Sequence, residues 1–432
     1  MQHAGLHRFR SGLTTILSAA LLAGTAGAAL ADNWPTWRGP TADGLAPSAK
    51  PPLKWDEKTN IKWKMPIPGR GDASPIVWGN KVFIQTAIPA KGGSEPALGE
   101  KHKFVLMCLD RATGRTIWEK VAVEETPHEG HHPSDGTFAS GSALTDGTNI
   151  FAYFGSRGIF CYDFDGNLKW SQDLGDMKTF MGFGEGSSPA ILGDKLVINW
   201  DHEGDSFIIA LNKNTGETIW KTPRPEKTSW STPLIVAYNG GHQIITAATG
   251  KIRSYNLEDG KLIWECTGMT RNAIPSPVAG DGVVYCTSGY TGNSMMAIKL
   301  GGTGDITNSS FIAWKYTKNT PYVPSPVLVG DRIYCFASNS PILTSFDAAT
   351  GKVMIDAARL EGLNSVYASP VAADGKLYIL GRNGTSVVVR QSDKLEVLAT
   401  NKLDDHTDAS PAVADGEIFI RGLEHVYCVA EK

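Results

Sequence analysis

Short apolar runs alternate with polar turns along the whole chain, and they recur at a fixed interval. Each copy opens on a small hydroxyl residue, usually followed by Pro, then apolar residues, a Gly/Asp turn and a second apolar run. The copies begin at Ser74, Ser188, Thr232, Ser276, Ser325, Ser369 and Ser410, each followed by Pro, and a degenerate copy stands at Ser142-Ala143. Pro189 to Pro233, Pro233 to Pro277 and Pro326 to Pro370 are each 44 residues apart. The first interval is longer, and Ile88 to Lys103 reads as a loop inserted there. Apolar runs of this length bounded by turn residues predict strands, and a period in the low forties predicts four-stranded propeller blades.

A second phrase falls late in each period. Its clearest copy runs from Asp110 through Thr113 and Gly114 to Trp118, followed by copies ending at Trp170, Trp220 and Trp264. The fifth reaches Trp314 after an insertion, and the sixth and seventh carry Ile355 and Val397 in place of Trp. The Gly makes the turn between third and fourth strands, and the Trp is expected to pack between blades. The eighth copy stops after three strands, while Asn60-Ile61-Lys62-Trp63-Lys64-Met65 matches a Trp-bearing fourth strand. Closing the ring with strands from both ends removes the sheet edges. The expectation is therefore an all-β chain with a single eight-bladed propeller over 60–432, an N-terminal extension over 32–59, and a signal peptide over 1–31.

The Asp-x-x-Thr-Gly-x-x-x-Trp phrase resembles the tryptophan-docking motif of pyrroloquinoline-quinone (PQQ) repeat propellers, which include quinoprotein alcohol dehydrogenases and the assembly factor BamB. The opening Trp34-Pro35-Thr36-Trp37-Arg38-Gly39-Pro40 also resembles the N-terminus of exported PQQ-like repeat proteins of planctomycete type. The resemblance covers nearly the whole chain after residue 31. It speaks for the fold, because the motif is structural, and says little about function.

Composition narrows the partners. A formal charge of −3 and the lack of any Lys/Arg run argue against binding along a nucleic-acid backbone. Arg8 and Arg10, the short apolar stretch Leu13 to Leu22, and Ala29-Leu30-Ala31 read as a secretory leader cleaved before Asp32, so the protein is expected in the periplasm or outside the cell. No Cys at that junction offers a lipid anchor, and no later run is long enough to span a bilayer. Cys108, Cys161 and Cys428 share one place in their repeats, and Cys286 and Cys335 share another. Equivalent positions in neighbouring blades are too far apart to bridge, so buried free thiols are expected.

The loops carry the chemistry. Turns between strands one and two, and three and four, are tight and share one face. Loops from strand two to three, and from four into the next blade, are long and lie on the other. That long-loop face is assigned His102, His128, His131, His132, His202, His406 and His425, with Asp135, Tyr367, Asp404 and Asp408 among its other polar residues. Candidate ligand-binding residues there are Arg157, Glu185, Trp230, Arg271, Tyr322, Arg382 and Asp405. Two segments are candidate metal sites: His128, Glu129, His131 and His132 in one, and Asp201, His202, Glu203 and Asp205 in the other. The first formally matches His-Glu-x-x-His, but Pro127, Gly130 and Pro133 exclude the helix that zinc-protease chemistry needs. The second has carboxylates close enough for Ca²⁺ or a transition metal but not the spacing of an EF-hand. A packed or solvated loop is the alternative for both.

Three functions fit this pattern. The first is an exported propeller that binds a polar small molecule or a divalent metal on its long-loop face, with no catalytic residue identifiable. The second is a BamB-like envelope scaffold for protein partners. The third is a PQQ-dependent dehydrogenase, for which the resemblance implies adjacent cysteines over the quinone. The chain has no Cys-Cys pair, so PQQ is not expected.

Overall fold

The computed structural model describes residues 33–92 and 99–431, and the expected leader lies outside them. Eight antiparallel sheets follow one another around a ring. Blade 1 comprises Ile76–Trp78, Lys81–Pro89, His102–Asp110 and Thr116–Glu125. Its central ladder runs as far as Pro89 opposite His102, so part of the expected insertion is strand. Blades 2 to 4 open with Leu144–Thr145, Ala190–Leu192 and Leu234–Tyr238, and blades 5 to 8 with Val278–Gly280, Val327–Val329, Val371–Ala373 and Ala412–Ala414. The second and third strands of each blade are almost wholly buried, which explains why they read as continuous apolar runs rather than alternating ones.

The ring closes as the repeat arithmetic requires. Ile61–Pro66 pairs antiparallel with His425–Ala430, giving blade 8 its outer strand from the other end of the chain. The docking tryptophans stitch neighbouring blades together. Indole Nε1 of Trp63, Trp118, Trp170, Trp220 and Trp314 donates to the carbonyls of Arg111, Phe164, Lys213, Leu257 and Ala348 at 2.9–3.1 Å. The phrase's Gly serves this contact too. Gly114 has φ +74°, and a Cβ there would sit 2.6 Å from Trp63, so a side chain is excluded both by backbone and by packing.

Two copies depart from the pattern. Trp264 is fully buried and donates instead to Gln243 within its own blade. The insertion of blade 5 supplies Gly304–Asp305, which adds a parallel strand alongside Trp264 and covers that edge. In blade 7 the docking position belongs to Ala399, paired with Val388, whereas Val397 falls two residues earlier, at the bulge that every blade carries before this point. Val397 is half exposed. Trp55 from the N-terminal segment is buried in the same core cluster as Ala399, stacked on Tyr378. All six cysteines are free and buried.

The N-terminal segment crosses the tight-turn face and stops the channel from that side. Trp34 bridges to Val77 of blade 1, the Pro35 carbonyl accepts from Thr145 of blade 2, and Leu45–Ala46 adds to blade 7. Arg38, buried between them, donates to the Pro326 carbonyl of blade 6 and to that of Asp43. Gly39 has φ +82°, and its Cα lies so close to Trp34 that a Cβ would meet the indole at 2.7 Å. The Trp-Pro-Thr-Trp-Arg-Gly opening is thus a plug.

Candidate functional site

Every blade's first strand starts beside the channel, and two successive rings of side chains follow from that. The hydroxyl residues of the repeat form the first. Backbone N–H groups of Ser74, Ser142, Ser188, Thr232, Ser276, Ser325 and Ser369 donate to the hydroxyl oxygens of Ser142, Ser188, Thr232, Ser276, Ser325, Ser369 and Ser410 at 2.9–3.0 Å. Seven of the eight seams carry one such bond, always in the same rotational direction. Among the described residues none of these seven hydroxyls passes its own proton to a protein acceptor, so the ring presents unused donors to the channel.

Extended chain repeats its facing direction every second residue. The residues two before the hydroxyls therefore form the second ring: Asp72, Ser140, Gly186, Trp230, Ile274, Val323, Tyr367 and Asp408. All sixteen positions line one cavity of 320 Å³, with Trp37 of the plug reaching it from the tight-turn side. His132, Asp135, Phe183, Glu185, Tyr290 and Tyr322 line it further out.

The two halves of this wall differ. Blades 8, 1, 2 and 3 contribute Asp408, Asp72, Ser140 and Gly186, and the carboxyls of Asp135 and Glu185 stand on this side. Blades 4 to 7 contribute Trp230, Ile274, Val323 and Tyr367, with Tyr290 stacked on Tyr322 at 5.1 Å. Trp230 is held in place by donating to the Gly184 carbonyl at 2.7 Å.

The carboxyls are unequal. Asp408 and Asp135 share Arg382, which takes both oxygens of Asp408 and one of Asp135 at 2.8 Å while lying 4.0 Å over Tyr367. His406 reaches Asp408 at 2.9 Å, and that hydrogen bond holds its imidazole above its usual range. Glu185 accepts from the Ser156 amide at 2.7 Å and from its hydroxyl, yet burial still pushes it up to about 7. Asp72 has no hydrogen-bond or ion-pair partner among the described residues. Burial, with the negative Asp408 nearby, pushes it up to about 7, against the pull of Arg421, Arg382 and His406. Arg421 itself is buried, donates to the Gln85 carbonyl, and has Nε and one terminal nitrogen unpartnered.

Of the residues singled out from sequence, the cavity takes Glu185, Trp230, Tyr322, His132, Asp135, Tyr367 and Asp408, with Arg382 just behind. The others go elsewhere. Arg157 bonds His128 and pairs with Glu125 at 2.7 Å and Asp176 at 3.1 Å, over a second, much smaller cavity. Arg271 lies 3.9 Å over Phe180 on the surface. Asp405 is a loop clamp, accepting from the amides of His406, Leu423 and His425 at 2.8–3.0 Å.

The candidate metal ligands are each engaged separately. His128 contacts the Met177 carbonyl, Glu129 accepts from the amide and hydroxyl of Thr179, and His131 packs edge-on against Phe138. His132 faces Asp135 at 3.3 Å. Asp201 is buried against Arg224, which takes its oxygens at 2.7 and 2.9 Å, with neither side chain exposed. His202 accepts from the Lys178 amide and Glu203 from Thr228, while Asp205 is exposed. Among the described residues no three His, Cys, Asp or Glu side chains converge as a metal-binding group.

Asp72 and Trp37 escaped sequence reasoning, although the column two residues before each repeat hydroxyl contains Asp72. The long loops of the outer face are fastened across the cavity. Arg382 of blade 7 also donates to the Ser134 carbonyl at 2.9 Å, and the His132 amide donates to the Phe183 carbonyl. The 126–141 loop therefore spans part of the mouth. Among the described residues no helix is long and apolar enough to cross a membrane.

Comparisons with known proteins agree with this architecture. BamB of Yersinia pestis is 27% identical over 259 residues, which is 56% of this chain and 59% of that protein. The aligned part is thus less than two thirds of that relative. The crystal structure of BamB from Moraxella catarrhalis superposes with a TM-score of 0.57 at 14% identity, covering 86% of this chain and 96% of that one. Quinohemoprotein alcohol dehydrogenase from Comamonas testosteroni superposes with a TM-score of 0.62 at 12% identity, covering 94% and 82%. At such identities these two likenesses speak for the fold alone. The family model described as outer membrane protein assembly factor BamB matches residues 102–354 and 204–432, and on that match the chain belongs to this family of PQQ-like β-propellers.

Proposed function

We propose that this chain is an exported binding protein whose ligand, a small polar molecule, sits in the channel cavity. The single observation that carries the reading is Asp72: a carboxyl with no partner, facing a cavity that is stoppered on one side and walled by aromatics on the other. Asp72 is half-buried and opens onto the cavity, and concave sites with a few convergent polar groups are where small molecules bind. The cavity volume lies at the lower end of the range for such sites. Among the described residues no Lys or Arg lines the cavity, which argues against PQQ, a tricarboxylate. No catalytic step is assigned.

The test is thermal-shift screening of the whole chain, expressed with its leader, against a metabolite library at about pH 7. A compound that raises Tm in the wild type and not in Asp72→Ala supports the reading. A library that shifts neither protein refutes it. Recovery of the protein from the periplasm or medium, cut before Asp32, tests export.

A second reading rests on the family. BamB is named as an assembly factor for outer-membrane proteins, and this chain would then hold envelope proteins on its long-loop face. Saturable binding to purified outer-membrane assembly components, unaffected by Asp72→Ala, would favour it.

A further inference from the structure

The proposal concerns the class of ligand, and it rests on the channel cavity being the binding site. We propose that the cavity takes a saccharide, a neutral cyclic polyol of one or two rings. Two features bear on this. Above the hydroxyls, which run right round the channel, the second ring is divided by blade: Asp408, Asp72 and Ser140 on one side, Trp230, Ile274, Val323 and Tyr367 on the other. A ligand that satisfies both halves must itself be two-faced, with hydrogen-bonding groups along one edge and C–H groups on a flat face.

The polar groups then distinguish polyols from ions. Seven hydroxyls of the repeat ring each accept a backbone amide and retain a proton to donate. Asp72 and Glu185 accept. Donors and acceptors thus stand side by side, and a sugar hydroxyl is both at once. An organic anion would meet the carboxyls. An organic cation would use Asp72 and the aromatic wall but leave the hydroxyl ring unanswered. A pyranose C–H face laid against Trp230 leaves its hydroxyl edge toward the polar half that holds Asp72.

The experiment is saturation-transfer NMR on the whole chain, with titration calorimetry for any binder. The probes are glucose, galactose, mannose, N-acetylglucosamine, maltose and cellobiose, alongside choline and citrate. The expected result is binding of at least one sugar, with saturation strongest at its C–H protons, and no binding of citrate. Asp72→Ala and Val323→Asn should each weaken that sugar at least tenfold. Val323→Asn alters only the apolar half, and a Tm within a few degrees of wild type shows that it folds. Binding of choline with no sugar bound would overturn the ligand class while leaving the cavity reading intact. If no probe binds but a library compound binds through Asp72, the class likewise fails alone. Binding of a sugar that neither variant weakens would place it outside the cavity and overturn the proposal.

Discussion

Asp201 separates a packed residue from a functional loop. In sequence it stands among Asp201, His202, Glu203 and Asp205 as a candidate ligand. In the structure it closes a buried network: Arg224 takes both its oxygens and also donates to Thr246 and Tyr255 at 2.8 and 3.0 Å, while Ser229 donates to Asp201 at 2.7 Å. Asp201→Ala leaves a buried guanidinium without the carboxylate that holds it. Removing one partner of a buried ion pair costs about 3–5 kcal/mol. Unfolding entropy of about 2.1 cal/mol/K per residue gives roughly 0.8 kcal/mol per kelvin for roughly 400 residues, so Tm should fall by about 4–6 °C. Calorimetry on Asp201→Ala and Asp205→Ala checks this. Asp205 is exposed, and its loss should stay within about 0.5 kcal/mol, less than 1 °C. Replacing the pair together, as Asp201→Leu with Arg224→Met, should recover most of the loss. A Tm for Asp201→Ala within 1 °C of wild type refutes the argument.

The docking seams give a second expectation. Trp220→Ala loses a bond to the Leu257 carbonyl and a large buried surface, and should cost about 3–5 kcal/mol in denaturant unfolding. Gly260→Ala, whose Cβ would meet Trp220 at 2.4 Å with φ +67°, should also destabilise the seam. Asp72 predicts a pH effect. Its folded value of about 7 exceeds the usual 3.8, so between these values the native chain holds a proton that the unfolded chain has released. Its contribution to stability therefore declines as pH rises from about 4 to about 7. Asp72→Asn should raise Tm over wild type near pH 8 and leave it unchanged near pH 3.5, as followed by circular dichroism. Arg382→Ala frees Asp135 and the Ser134 carbonyl, and hydrogen exchange at residues 130–136 should quicken while exchange in the blade cores stays the same.

The period and the docking phrase made the ring legible, because each blade must meet the next through the same contacts. Val397 was misplaced because the bulge before the docking position shifts the register, and only the ladder reveals that. The site was legible in part. Glu185, Trp230, Tyr322, His132 and Arg382 come from loops that enter or overhang the channel, and length and polar side chains mark those loops in the sequence. Asp201 and Asp405 look the same in sequence. Their partners, Arg224 and the amides near Leu423, lie on other strands, and no spacing announces them. In sequence the repeated serine marks strand starts. That it fastens each blade to the next, and leaves a donor over the channel, depends on the closed ring.

The segment from Asn33 to Pro66 contains both the stopper beneath the cavity and the strand that completes blade 8. The strand has nowhere to dock until the last blade, encoded at the opposite end of the chain, has been laid down, and the stopper spans blades 1, 2, 6 and 7 on either side of that closure. A chain cut short before His425 would therefore lack a sealed pocket as well as a sealed circle. Ligand uptake would thus report that synthesis and folding had both finished, a quality check written into the topology itself.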